Sequence, residues 1–178
     1  MDCMLDIETL STDRSAVILT FGAVKFDPYT TTEPTQGLYY RLDADEQIAS
    51  GRHVDDDTLA WWTKQSADIQ DEAFSEFDRT SVAVFQADLN RYLVGVQNIW
   101  AQGPLFDLIL LEDLYKQNKI PVPWWYHQIS DSRTLFKLGG DPREKNKDDL
   151  HNALADAYNQ AIGVQQFVKK YGITKSEY

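Results

Sequence analysis

Apolar residues fill positions 4–8 and 16–26 with the two-residue period of strands, and beyond these they recur at helical spacing. In 16–26, Val17, Leu19, Phe21 and Ala23 are expected on one face, with Ile18, Thr20, Gly22 and Val24 on the other. Both faces are largely apolar, which makes this a central strand. Asp27-Pro28 and the threonines after it predict a turn, and residues 37–42 read as a third strand paired back on the second. Asp55, Asp56 and Asp57 ahead of Thr58-Leu59-Ala60-Trp61-Trp62 predict a helix opened by an aspartate cap. Val82, Phe85, Leu89, Tyr92 and Leu93 mark a helix over 81–94; a short strand follows at 98–101, and a helix begins at Pro104 or Leu105. Pro121 and Pro123 interrupt the pattern, 130–138 reads as a short helix, and 139–149 as a solvated charged loop. A final helix is expected over 150–171, with Lys169 and Lys170 in its last turn and Gly172 as its cap. This order predicts an α/β fold whose mixed sheet is an antiparallel three-strand meander continued by parallel strands and flanked by helices.

The bulk properties narrow the possibilities. A chain of 178 residues with 43% hydrophobic content suits a single domain spanning residues 1–178. The first residues lack a basic segment followed by an apolar run, and no stretch has membrane-helix length, so a cytoplasmic protein without a membrane partner is expected. Cys3, the only cysteine, reads as a small buried apolar residue. A net charge of −11 argues against a protein that holds long nucleic acid through a basic surface. Any nucleic-acid role must be local, with bound cations supplying positive charge where a phosphate sits.

Chemistry enters at Met4-Leu5-Asp6-Ile7-Glu8-Thr9. Strand alternation puts Asp6 and Glu8 on one side and Leu5 and Ile7 on the other. Two carboxylates forced together repel unless a cation lies between them, and hard oxygen donors suit Mg²⁺ or Mn²⁺. Taken alone, the pair reads more readily as two solvated acids at a strand end. Distant acids add to it. Trp100-Ala101-Gln102-Gly103-Pro104-Leu105-Phe106-Asp107 ends a strand with a glycine turn and starts a helix carrying Asp107 in its first turn, where the helix dipole also favours an ordinary acid. His151-Asn152-Ala153-Leu154-Ala155-Asp156 places His151 at a helix entrance and Asp156 over a turn later, so the acid faces the sheet while the imidazole leans over the site.

These three segments resemble the three exonuclease motifs of the DEDD superfamily of 3′→5′ exonucleases, in its histidine-bearing DEDDh branch. The segments 23–27, 58–65 and 131–135 are further similar to the RNase T-like group, which includes phage DexA-type exonucleases and the exoribonuclease RNase AS. The resemblance extends from Met4 to about Phe167 and implies a ribonuclease H-like fold. By position it implies that Asp6, Glu8 and Asp156 hold one Mg²⁺ or Mn²⁺, and that Asp6 helps hold a second, which Asp107 reaches through water. Two such ions about 4 Å apart clamp a scissile phosphate. His151 would take the proton of the attacking water, and nucleoside 5′-monophosphates would leave from single-stranded DNA or RNA 3′ ends. Thr9 and Leu10 match positions that receive the terminal nucleotide, and relatives suggest a homodimer.

Other substrate contacts remain open. Trp61 and Trp62 point in different directions on a helix, so either one lies in the core and the other at the groove, or both pack. Phe106 and Arg133 are further candidate substrate contacts. Trp124, Trp125 and Tyr126 read either as base-stacking residues or as a surface contact. Arg133, Lys137, Arg143, Lys145 and Lys147 are candidate phosphate contacts or simply a solvated segment. Two rivals stand beside the exonuclease: a hydrolase of short oligonucleotides or dinucleotides, and a catalytically silent nucleic-acid binding module, against which the intact acids and histidine argue.

Overall fold

The structure, a computed structural model, describes residues 1–143 and 151–175. Strands β1 (Asp2–Thr9), β2 (Ile18–Phe26) and β3 (Thr35–Leu42) come first, followed by helices α1 (Ala44–Ala49), α2 (Asp56–Trp62) and α3 (Ala67–Phe74). Then come β4 (Arg79–Thr80), α4 (Val82–Tyr92), β5 (Ile99–Ala101), α5 (Pro104–Gln117), β6 (Ile129–Asp131), α6 (Ser132–Gly139) and α7 (Ala153–Lys170). The sheet order is β4-β3-β2-β1-β5-β6. The β1-β2 and β2-β3 pairs are antiparallel, while β5 runs parallel to β1 and to β6. The expected meander continued by parallel strands is therefore the observed topology.

The two sheet faces are covered differently. Cys3, Leu5 and Ile7 of β1 join Phe21 and Ala23 of β2 against α4 and α5, through Phe85, Leu89, Leu108 and Leu111. The opposite face packs Met4, Val24 and Phe26 against α7, through Ala157, Ala161 and Val164. Small side chains at those α7 positions bring the helix close to the sheet. Among the described residues, no helix is long and apolar enough to cross a membrane.

Several expectations need correction. Val17 and Leu19 do not share a face with Phe21 and Ala23: they pack with Leu10 and Trp62, whereas Ile18 lies with Phe21. The cause is a register shift, in which Glu8 faces Thr20 but Thr9 faces Ile18, leaving Leu19 as an extra residue that reverses the alternation. Residues 130 and 131 belong to β6, and the Asp131 carboxylate then caps α6 by accepting from the Arg133 backbone N–H. The last helix starts at Ala153, because the Asn152 side chain caps it by accepting from Ala155 N–H. The expected basic contacts Lys145 and Lys147, and the helix start at 150, lie outside the described residues.

Candidate active site

Asp6 and Glu8 project from β1 on the Met4 side, toward α7. Opposite Asp6 in the β1-β2 ladder stands Gly22, and a Cβ there would collide with the backbone of Ala153 and Leu154. The missing side chain lets the first turn of α7 lie directly on the sheet, which brings Asp156 to the strand carboxylates. One oxygen from each of Asp6, Glu8 and Asp156 lies within 4.8 Å of the others. Asp156 Oδ2 accepts from the His151 backbone N–H at 2.9 Å, and His151 sits at φ +69°, outside the helix. That left-handed turn brings its Nδ1 to 3.8 Å from Glu8 Oε1.

Asp107 arrives from the other side. It lies in the first turn of α5, behind Gly103 at φ +116°, and is buried. With Asp6, Glu8, His151 and Asp156 it lines a cleft of 310 Å³ at the carboxyl ends of β1, β5 and β6. Parallel strand ends of this kind are where α/β sheets hold ligands.

The cleft is electrostatically strained. Burial raises Asp6 well above the usual carboxylate range, with Asp107, Glu8 and Asp156 adding to the rise. Burial, then the charges of Asp156 and Asp107, push Glu8 up to about 8. Burial pushes Asp107 up to about 7, opposed by its own backbone N–H, that of Ile7, and the Arg133 guanidinium. Burial lowers His151, which keeps its imidazole neutral near pH 7.

The candidate substrate residues separate into two groups. Phe106 and Arg133 line the cleft; Thr9, Leu10, Trp61 and Trp62 do not. Arg133 Nε and Nη2 donate to the Gln102 carbonyl at 3.3 and 2.6 Å, which fixes the guanidinium at the rim. Leu10 and Trp62 are buried with Val17 and Leu19, and Trp62 Nε1 donates to the Thr9 carbonyl at 2.9 Å. Trp62 is thus the core member of its pair. Trp61 is 38% exposed and meets the His151 ring edge-on, with centroids 4.7 Å apart. Thr9 Oγ1 donates to the Ser11 carbonyl at 2.7 Å, which shapes the turn after β1. Of the other aromatics, Trp124 is buried, whereas Trp125 and Tyr126 are 69% and 85% exposed.

Two cleft residues escape a reading of the sequence by charge. Gln160 donates from Nε2 to Asp6 Oδ1 at 2.8 Å, and Gln102 meets the cleft beside Arg133. Only the spacing of Gln160, four residues beyond Asp156 on one helix face, could have marked it.

A solved structure described as Exonuclease X in complex with 5′ overhanging duplex DNA matches with a TM-score of 0.59 and 14% identity, covering 98% of this chain and 95% of that one. At that identity the likeness establishes the fold, which is ribonuclease H-like. The comparison with curated proteins returns no match. The model of the 3′-5′ exoribonuclease Rv2179c-like domain family matches residues 1–168. The chain therefore belongs to the Rv2179c-like family and is a 3′-5′ exonuclease.

Proposed function

We propose that the cleft is the catalytic centre of a two-metal-ion, DEDDh-type exonuclease that releases nucleoside 5′-monophosphates from the 3′ end of single-stranded RNA. The observation carrying this reading is the convergence of Asp6, Glu8 and Asp156 within 4.8 Å, with buried Asp107 in the same cleft. So many carboxylates cannot all be ionised at close quarters without a cation among them. Their donor set is hard oxygen alone, which fits Mg²⁺ or Mn²⁺.

In this reading Asp6, Glu8 and Asp156 would hold one ion, and Asp6 would help hold the other, which Asp107 would reach through water. When bound, such a pair neutralises charge on a phosphate and lowers the pKa of water. The chain's own groups do the rest. His151, neutral and held by Trp61 and its left-handed turn, accepts the proton of the attacking water. Arg133, its guanidinium already fixed on Gln102, presents a cation to a substrate phosphate. Phe106 supplies an apolar wall for the terminal nucleoside.

RNA is favoured as substrate by the family's description, which names an exoribonuclease, although the structural neighbour was solved with DNA. The test is digestion of matched 5′-labelled RNA and DNA single strands with Mg²⁺ or Mn²⁺, using Asp156→Asn as the inactive control. RNA should shorten from its 3′ end faster than DNA. Preference for DNA would overturn the substrate assignment, and cleavage of a dinucleotide but not of a longer strand would favour the short-oligonucleotide hydrolase.

A further inference from the structure

Gln160 carries no charge, yet it is buried in the floor of the carboxylate cleft. Its side chain is fixed at one end only: Nε2 donates to Asp6 Oδ1 at 2.8 Å, while Oε1 is buried and has no hydrogen-bond partner. An amide turned so that its carbonyl is left unpaired is oriented by the partner it does bond. That partner is the carboxylate that both proposed ions need. Gln160 lies one helical turn beyond Asp156, so a single face of α7 carries one proposed ligand and the clamp on another.

We infer that Gln160 is a positioning residue for metal binding, holding the Asp6 carboxylate in one rotational setting so that it meets the ions together with Glu8 and Asp156. The inference rests on the proposed function, because it assumes that the cleft takes divalent ions. Groups that hydrogen-bond to metal ligands fix ligand orientation, and their removal typically costs about 10–100-fold in metal affinity or activity. An apolar residue of similar length keeps the packing and loses the clamp.

Helix α7 also supplies an internal control. Gln165 is as buried as Gln160, at 4% exposure each, but it donates to the Asp27 and Thr32 carbonyls at 2.9 and 2.8 Å, away from the cleft. A merely structural role for buried glutamines predicts the same outcome at both positions. The experiment measures Mn²⁺ binding by calorimetry for the wild type, Gln160→Met and Gln165→Met, with metal-free thermal unfolding to confirm folding. Gln160→Met should bind Mn²⁺ about 10–100-fold more weakly, and Gln165→Met should bind as the wild type does. If Gln160→Met does not fold, Gln160→Asn, which withdraws the amide from Asp6 by one methylene, should show the same loss. Unchanged Mn²⁺ affinity in a folded Gln160 variant, or equal losses at the two positions, would overturn the inference. A wild-type protein that binds no Mn²⁺ would instead overturn the proposed function.

Discussion

Stripped of divalent cations, the protein should lose stability as the pH rises through neutrality. Glu8 is pushed from an ordinary value of 4.5 up to about 8 and Asp107 up to about 7, with Asp6 moved in the same direction. Between the unfolded and folded values, the native state holds a proton that the unfolded chain has released. The stability of the native state therefore falls by about 1.4 kcal/mol per pH unit for each such group. Glu8 alone should cost about 2–3 kcal/mol between about pH 5 and pH 7, and Asp107 and Asp6 act with the same sign. His151 acts oppositely, because its lowered folded value makes stability rise with pH through the ordinary imidazole value of 6.5. One half-buried imidazole does not offset several carboxylates. For a chain of this length each kcal/mol moves the Tm by about 2–4 °C, so the expected fall from Glu8 is about 4–12 °C. The assay is thermal unfolding in chelator at stepped pH, repeated with Mn²⁺ and with Glu8→Gln. Mn²⁺ should reduce the slope by stabilising the ionised carboxylates, and Glu8→Gln should flatten it by removing a titrating group. A Tm in chelator that stays level or rises over this range would refute the electrostatic account of the cleft.

Asp6→Asn should abolish turnover, since it removes charge from the ligand proposed to serve both ions; near-normal activity at saturating Mn²⁺ would rule that role out. Asp107→Asn should weaken the second ion first, seen as a change in the metal dependence of rate before calorimetric binding disappears. His151→Ala should cost about 10²–10⁴ in rate with little change in Mn²⁺ affinity, and the pH-rate profile should lose its requirement for a neutral imidazole. Gly22→Ala should destabilise the fold by about 3 kcal/mol in chemical denaturation and weaken Mn²⁺ binding, because the added methyl lifts the first turn of α7 and Asp156 with it.

Backbone periodicity makes only part of the site legible: a period of two puts Asp6 and Glu8 on one side of β1, whereas Asp107, His151 and Asp156 were joined to them by the motif resemblance. Where periodicity is broken locally, the sequence misleads: the extra residue Leu19 exchanges the faces of β2, and nothing in an unbroken apolar run announces it. The short elements α1, α3 and β4, of six, eight and two residues, are not among those expected from the sequence. The sequence left Trp61 and Trp62 either split between core and groove or both packed, and the Trp62 bond to Thr9 fixes Trp62 as the buried one. Gln160 shows the largest gap. Its function follows from a three-dimensional hydrogen bond to Asp6, 154 residues away in sequence.

Four carboxylates and a histidine are proposed to make a metal-dependent enzyme that works inward from a 3′ end. This is tested most directly by following a 5′-labelled single-stranded RNA with Mn²⁺, with chelator, and with Asp156→Asn, while identifying the released nucleotide. The account predicts a ladder that shortens from the 3′ end only with Mn²⁺ and the wild-type protein, with nucleoside 5′-monophosphates as product. Immediate release of the 5′ label, internal cuts, or degradation that persists in chelator would contradict it.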